Sequence, residues 1–150
     1  MKKLILLLGA ILVLSVNTLF ARNYETAVSK KLYNSFTETF TGATDVKWYT
    51  EDNHTFTAKF TMSNAKVTAF FKEDGTLLAT SRYLQPEQLP LKVAAKLNKK
   101  YPGQRVYCIV EYASSDNILY FITLEGTNIW TVVKSDESGS MQTYSCLKKA

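Results

Sequence analysis

The stretch L-Q-P-E-Q-L-P-L-K-V-A-A-K-L-N-K-K-Y-P-G, Leu84 to Gly103, divides the chain and decides its fold. Pro90 suits the first turn of a helix, where its missing N–H is not needed. Val93, Ala94, Leu97 and Tyr101 recur at helical spacing, while Lys92, Lys96 and Lys99 fall off that stripe. Pro102-Gly103 then stops the helix. On either side stands the same plan, a helix followed by four short strands.

Upstream, Val28, Leu32, Phe36 and Phe40 repeat every four residues and predict an amphipathic helix from about Tyr24 to Thr41. Strands are expected over Asp45 to Thr50, Thr55 to Met62, Lys66 to Lys72 and Thr76 to Leu84. The second is the clearest, because Phe56, Ala58, Phe60 and Met62 alternate with Thr55, Thr57, Lys59 and Thr61. Asp74-Gly75 is the strongest hairpin signal. Downstream of the dividing helix, strands are expected over Arg105 to Tyr112, Ile118 to Leu124, Asn128 to Lys134 and Ser140 to Cys146. Phe40-Thr41-Gly42 aligns with Tyr101-Pro102-Gly103, Val46 with Val106, and Lys72 to Gly75 with Lys134 to Gly139, so the halves read as an internal duplication.

Several of these segments carry a resemblance. Phe40-x-Gly-Ala-x-Asp-Val-Lys-Trp-Tyr49, Phe56-Thr-Ala-Lys-Phe60, Ala69-Phe-Phe-Lys-Glu-Asp-Gly75, Leu89-Pro90 and Lys100-Tyr-Pro-Gly103 are similar to the PepSY-like, β-lactamase-inhibitor-protein-like exported proteins of Bacteroidetes. The similarity is strong over residues 36–103 and looser after Ser114, where Gly139 sits late. It implies an α+β fold: two tandem helix-plus-four-stranded antiparallel meander repeats forming one curved sheet, with the helices on one face. It implies a protein-binding, inhibitor-like role less strongly, because a fold does not fix a function.

The ends and the composition set the setting. Met1-Lys2-Lys3, the apolar run Leu4 to Val16 and Thr18-Leu-Phe-Ala21 have the three parts of a secretory signal. The apolar run is too short for a membrane span, which needs about 20 residues. A signal over residues 1–21 leaves a single domain, 22–150, made of repeats 22–84 and 85–150, in the periplasm or outside the cell. No cysteine follows the apolar run to carry a lipid anchor, and no later segment is expected to span a membrane. Of 18 basic residues, Lys2 and Lys3 leave with the signal, so 16 stand against 13 acidic ones. That excess is mild and forms no basic stripe, so nucleic acid is not an expected partner. Cys108 and Cys146 fall on opposite faces of non-neighbouring strands, Cys108 with Val106 and Val110, and free thiols are expected.

Each strand has two faces, and the helices cover one. The core face is read as Val46, Trp48, Phe56, Ala58, Phe60, Val67, Ala69, Phe71, Leu77 and Ala79, then Val106, Cys108, Tyr120, Ile122, Leu124, Ile129 and Val133. The other face displays Lys47, Tyr49, Lys59, Lys66, Phe70 and Arg82 in the first half. In the second half it displays Tyr107, Ile109, Leu119, Phe121, Trp130, Val132 and Tyr144, a large apolar patch for a soluble monomer. A partner, a second copy, the chain's own termini or closure of the sheet over itself are the alternatives for burying it.

Catalytic chemistry finds little support. His54 is the one histidine and sits in a polar turn beside Glu51 and Asp52. The acidic pairs Glu73-Asp74 and Asp136-Glu137 occupy hairpin turns, without the spacing of a calcium loop. No phosphate-cradling glycine loop is present. The expectation is a non-catalytic exported binding module without cofactor or metal, gripping another exported protein through the open sheet face; inhibition of an envelope or extracellular enzyme is the mechanism that the resemblance implies for it. Tyr49, Phe70, Tyr107, Phe121, Trp130 and Tyr144 are the expected anchors, with Lys47, Lys59 and Arg82 steering acidic partners. The alternatives are a self-associating structural protein and a carrier of a small apolar ligand or peptide.

Overall fold

A computed structural model describes residues 24–149, so the export signal expected over residues 1–21 lies outside the described residues. One sheet runs through both halves, its nine strands lying side by side in chain order. β1 (Tyr24–Glu25) leads to α1 (Lys30–Thr39), followed by β2 (Thr44–Thr50), β3 (Thr55–Met62), β4 (Ala65–Lys72) and β5 (Leu77–Leu84). A 3-10 turn at Pro86–Gln88 enters α2 (Leu91–Lys100), and β6 (Arg105–Ser114), β7 (Ile118–Glu125), β8 (Ile129–Asp136) and β9 (Met141–Lys148) complete the sheet. All neighbours are antiparallel. After β1 the order is helix then four strands, twice.

The first helix is shorter than its periodicity suggests. Ser29 caps it, its hydroxyl accepting the Leu32 N–H at 3.2 Å. The residues before that cap are drawn to the sheet instead: Tyr24 and Glu25 pair with Thr50 and Tyr49, and the Thr26 N–H reaches the Trp48 carbonyl at 2.9 Å. The second helix begins just after Pro90 and ends as expected, the Tyr101 N–H closing on Leu97 before Gly103 takes a φ of 73°.

Both helices pack on the same face. Leu32 and Phe36 of α1 are buried against Trp48, Ala58, Phe60, Ala69 and Phe71. Val93 and Leu97 of α2 are buried against Leu84, Ile109, Tyr120, Ile122, Leu124 and Val133. Val67, which packs on the first cluster, pairs directly with Arg82, and Leu84, two residues further along β5, belongs to the second cluster. Residues two apart on a strand share a face, so both cores lie on one side of one sheet. The other side is crossed by no element among the described residues.

A β-bulge recurs at matching places in the two halves. β2 carries one extra residue between Thr44 and Lys47, and β6 carries Tyr107 as its extra residue. Leu78 is the extra residue of β5, and Tyr144 that of β9. Each bulge reverses which face the following residues occupy. Ile109 is therefore a core residue, 1% exposed, and not part of the open face. Cys108 pairs with Thr123 on the open face and is not core. Ala79 pairs with Phe70 on the open face, buried beside it. Leu77 and Ile129, expected in the core, are exposed at strand ends that the helices do not reach.

Candidate functional site: the open sheet face

The sheet brings the expected anchors together. Lys47, Tyr49, Lys59, Phe70, Phe121 and Trp130 share the open face with the bulge residues Tyr107 and Tyr144, whose rings pack onto it. Arg82 does not join them. The Leu78 bulge turns it to the helix face, where its Nε donates to the Glu111 carboxylate at 2.6 Å in the seam between the two cores. Arg82 is thus a structural cation of that seam, and Tyr83 takes the open-face position expected for it, 67% exposed.

The β6–β9 end is apolar and pre-packed. Tyr107 lies against Trp130 with ring centroids 4.7 Å apart, and Phe121 meets Tyr144 edge-on at 5.3 Å. The Lys149 ammonium sits 4.6 Å from the centre of the Trp130 ring. Glu125 accepts from Lys149 at 2.7 Å and from the Arg105 guanidinium, and these two cations hold its carboxyl below the usual range. Arg105 and Lys149 are therefore already engaged, while Lys134, opposite Phe121, has no ion-pair partner among the described residues. Val110, Leu119, Val132 and Leu147 share the open face with these rings.

Toward the middle, Phe70 and Tyr112 pack at 5.9 Å and link the aromatic end to the first half. There the surface turns basic. Lys47, Lys59, Lys66, Tyr49, Thr68 and Tyr83 line an open groove of about 470 Å³. Residue typing alone placed Lys66 here but missed Tyr83, Tyr112 and Val110. The available signal was the apolar doublet Leu77-Leu78 and the run Val106 to Val110, where alternation fails and a bulge restores it.

The thiols lie apart. Cys108 is on the open face and Cys146, paired with Thr131, on the helix side, and both are free. Burial pushes the Cys108 thiol up. His54 occupies the β2–β3 turn, its Nδ1 3.5 Å from the Glu73 carboxylate and its side chain 79% exposed. The neighbouring Asp52 caps that turn, accepting N–H groups of Thr55 and His54 that hold its carboxyl low. No group of three or more histidine, cysteine or acidic side chains is placed to hold a metal among the described residues. No described helix is long and apolar enough to cross a membrane.

A larger groove, about 820 Å³, opens on the helix face between α1 and β2, lined by Tyr33, Phe36, Phe40, Val46 and Trp48. β1 meets β2 in the register in which β5 meets β6, Glu25 facing Tyr49 as Tyr83 faces Val110. Thr26 consequently stands where Leu84 stands in the second half. Leu84 and Leu89 fill the core there, whereas the first half has a shorter side chain and no 3-10 turn.

The chain matches no protein-family profile and no curated protein. Solved structures do share its architecture. A BLIP-like protein from Bacteroides fragilis superposes with a TM-score of 0.71 at 16% identity, over 83% of this chain and 90% of that one. A DUF2874 family protein from Bacteroides ovatus gives 0.68 at 16% identity, covering 82% and 89%. A protein from Bacteroides eggerthii, provisionally described as periplasmic, gives 0.68 at 10%, covering 82% and 90%. At these identities the likeness is one of fold, and it meets the resemblance drawn from residues 36–103: the chain has the α+β architecture of the BLIP-like and DUF2874 proteins of Bacteroides.

Proposed function

We propose that this chain is an exported, non-catalytic binding module that grips another exported protein through the open face of its sheet. The observation that carries the reading is the paired aromatic surface at the β6–β9 end: Tyr107 on Trp130 and Phe121 on Tyr144, with Arg105 and Lys149 already bonded to Glu125. Side chains packed on one another before binding lose little further freedom on contact, and large rigid aromatics dominate the energetics of such interfaces. An interface of the standard size, about 800 Å² per partner, needs no chemistry from the module. Inhibition of an envelope or extracellular enzyme is the outcome such docking gives when the face covers the enzyme's active-site mouth, and the likeness to a protein called BLIP-like supports that outcome.

The test is capture by immobilised native protein beside a Trp130→Glu variant, followed by assay of whatever enzyme is recovered. Trp130 is half-buried on the surface, so the fold should survive, as a matched circular-dichroism melt would verify. The expected result is one enzyme enriched on the native bait alone and slowed by added protein. Equal recovery on both baits would refute the site. The α1–β2 groove favours a second reading, a carrier of a small apolar ligand, which bound apolar molecules in native mass spectra of freshly purified protein would support.

A further inference from the structure

We infer that the groove at the β2–β5 end of the open face is a carboxylate-recognition site, built to seat an acidic segment of a partner protein. The inference rests on the open face being the docking surface and adds what the partner must present there. Its basis is an arrangement of like charges that folding alone does not favour. Lys47 on β2 stands directly opposite Lys59 on β3. Lys59 in turn faces Thr68 on β4, which puts Lys66 on its diagonal. Directly opposed residues of an antiparallel pair have Cβ atoms about 5 Å apart and diagonal ones about 7–8 Å, and like charges so placed repel.

The repulsion is only partly relieved within the protein. Lys47 has the Glu25 carboxylate at 3.8 Å. Lys59 has none among the described residues: its ammonium lies 5.0 Å from the centre of the Tyr49 ring. Lys66 donates to the Thr61 hydroxyl at 2.7 Å, and that hydroxyl is the one that reaches Asp45, at 3.4 Å. Asp45 lines the same groove but pairs with none of the three lysines. Lys59 and Lys66 therefore face the open groove with no carboxylate in ion-pair contact among the described residues, between the exposed Tyr83 and the half-buried Tyr49. The contrast with the other end of the same face is sharp, because Arg105 and Lys149 there are both tied to Glu125. Both of those cations are bonded to a carboxylate, whereas Lys59 and Lys66 here are bonded to none among the described residues.

The probe is a fluorescein-labelled peptide of about ten glutamates, titrated into the purified protein and read by anisotropy. Saturable binding is expected at low salt, weakening about tenfold as ionic strength rises and the Debye length shrinks to about 8 Å. Lys59→Glu with Lys66→Glu should lose at least about tenfold in affinity. The control Lys92→Glu with Lys99→Glu makes the same change in net charge on the exposed side of α2 and should lose far less. An equal loss in both variants, or no binding at low salt, would overturn the assignment. So would displacement of the peptide by inorganic phosphate at concentrations where acetate has no effect, which would give the groove to phosphate groups. Trp130→Glu should bind the peptide as the native protein does. A failure of the aromatic end is thereby read separately from a failure of the basic one.

Discussion

The Ser35 hydroxyl donates a 2.7 Å hydrogen bond to the carbonyl of Gly75, tying the middle of α1 to the β4–β5 turn. Gly75 has a φ of 90°, and a Cβ added there would meet the Ser35 Cβ at 3.1 Å. Gly139 occupies the same place under α2, with a φ of 77°; a Cβ added there would meet the Lys92 carbonyl oxygen at 3.1 Å, and the Lys96 ammonium is bonded to Ser138 nearby. Gly75→Ala is expected to cost about 1–3 kcal/mol from backbone strain, and Ser35→Ala about 1 kcal/mol from the unpaired carbonyl. Urea denaturation of each checks both. A Gly75→Ala variant as stable as the native protein would contradict the packing described.

The bulge at Tyr107 makes residues two apart respond very differently. Ile109→Ala should destabilise the protein by about 2–5 kcal/mol, the cost of a cavity in a closed core. Tyr107→Ala, on a side chain 61% exposed, should change stability by well under half of that while weakening partner capture. Similar unfolding midpoints for the two variants would mean that β6 runs without its extra residue.

Lys59→Gln should raise stability by about 0.2–1 kcal/mol, because it removes the charge opposite Lys47. The same change should weaken oligoglutamate binding. A thermal melt that falls on substitution would show that Lys59 stabilises the fold and would remove the reason for regarding it as held for a ligand.

The two thiols should separate by rate. Cys146 is exposed, whereas Cys108 is partly buried with its thiol pushed up, so less of it is thiolate at neutral pH. Labelling of native protein with a thiol reagent should run in two phases, Cys146 first, and non-reducing gels should show no internal crosslink. A single phase, tested against Cys108→Ser, would contradict this placement.

Acid should find Glu125. Its carboxyl is held below the ordinary 4.5 by hydrogen bonds from Lys149 and Arg105. A carboxyl depressed in the folded state contributes stability that is present above its unfolded value and is lost as pH falls through the folded one. Stability should therefore decline below about pH 4.5, and Glu125→Gln should be less stable at neutral pH with a shallower acid decline. Asp52, Asp74 and Asp136, also held low by turn N–H groups or hydroxyls, will keep part of that decline in place. Parallel acid limbs for variant and native protein would remove Glu125 from the account.

The strands and the dividing helix were legible because their patterns are local. Thr55 to Met62 alternates without a break, and Val93, Leu97 and Tyr101 recur at helical spacing. The face assignments held where alternation runs unbroken, as for Tyr49, Phe70, Phe121 and Trp130. They failed beyond a bulge. Counting by twos through Leu77 and Ala79 put Arg82 on the open face and missed Tyr83, and counting through Val106 exchanged Cys108 with Ile109. A bulge depends on the partner strand, which fixes where two residues oppose one, and a single strand's sequence does not contain that. Tyr24 to Thr26 escaped for a related reason: they follow on from a helical pattern, yet their hydrogen bonds go to the edge of β2.

Because β5 pairs with β6 residue by residue, from Ala79 opposite Ser114 to Leu84 opposite Ile109, no joint separates the halves. The open face consequently behaves as a ruler. Lys59 on β3 and Trp130 on β8 are separated by five strand spacings, and the row of paired residues through Lys59 reaches β8 at Asp136, six residues from Trp130. The two therefore lie about 24 Å apart across the strands and about 20 Å along them. A ligand that touches both must carry an acidic group and an apolar hollow at that separation. One that has either feature alone, or both at another distance, meets only half of the surface.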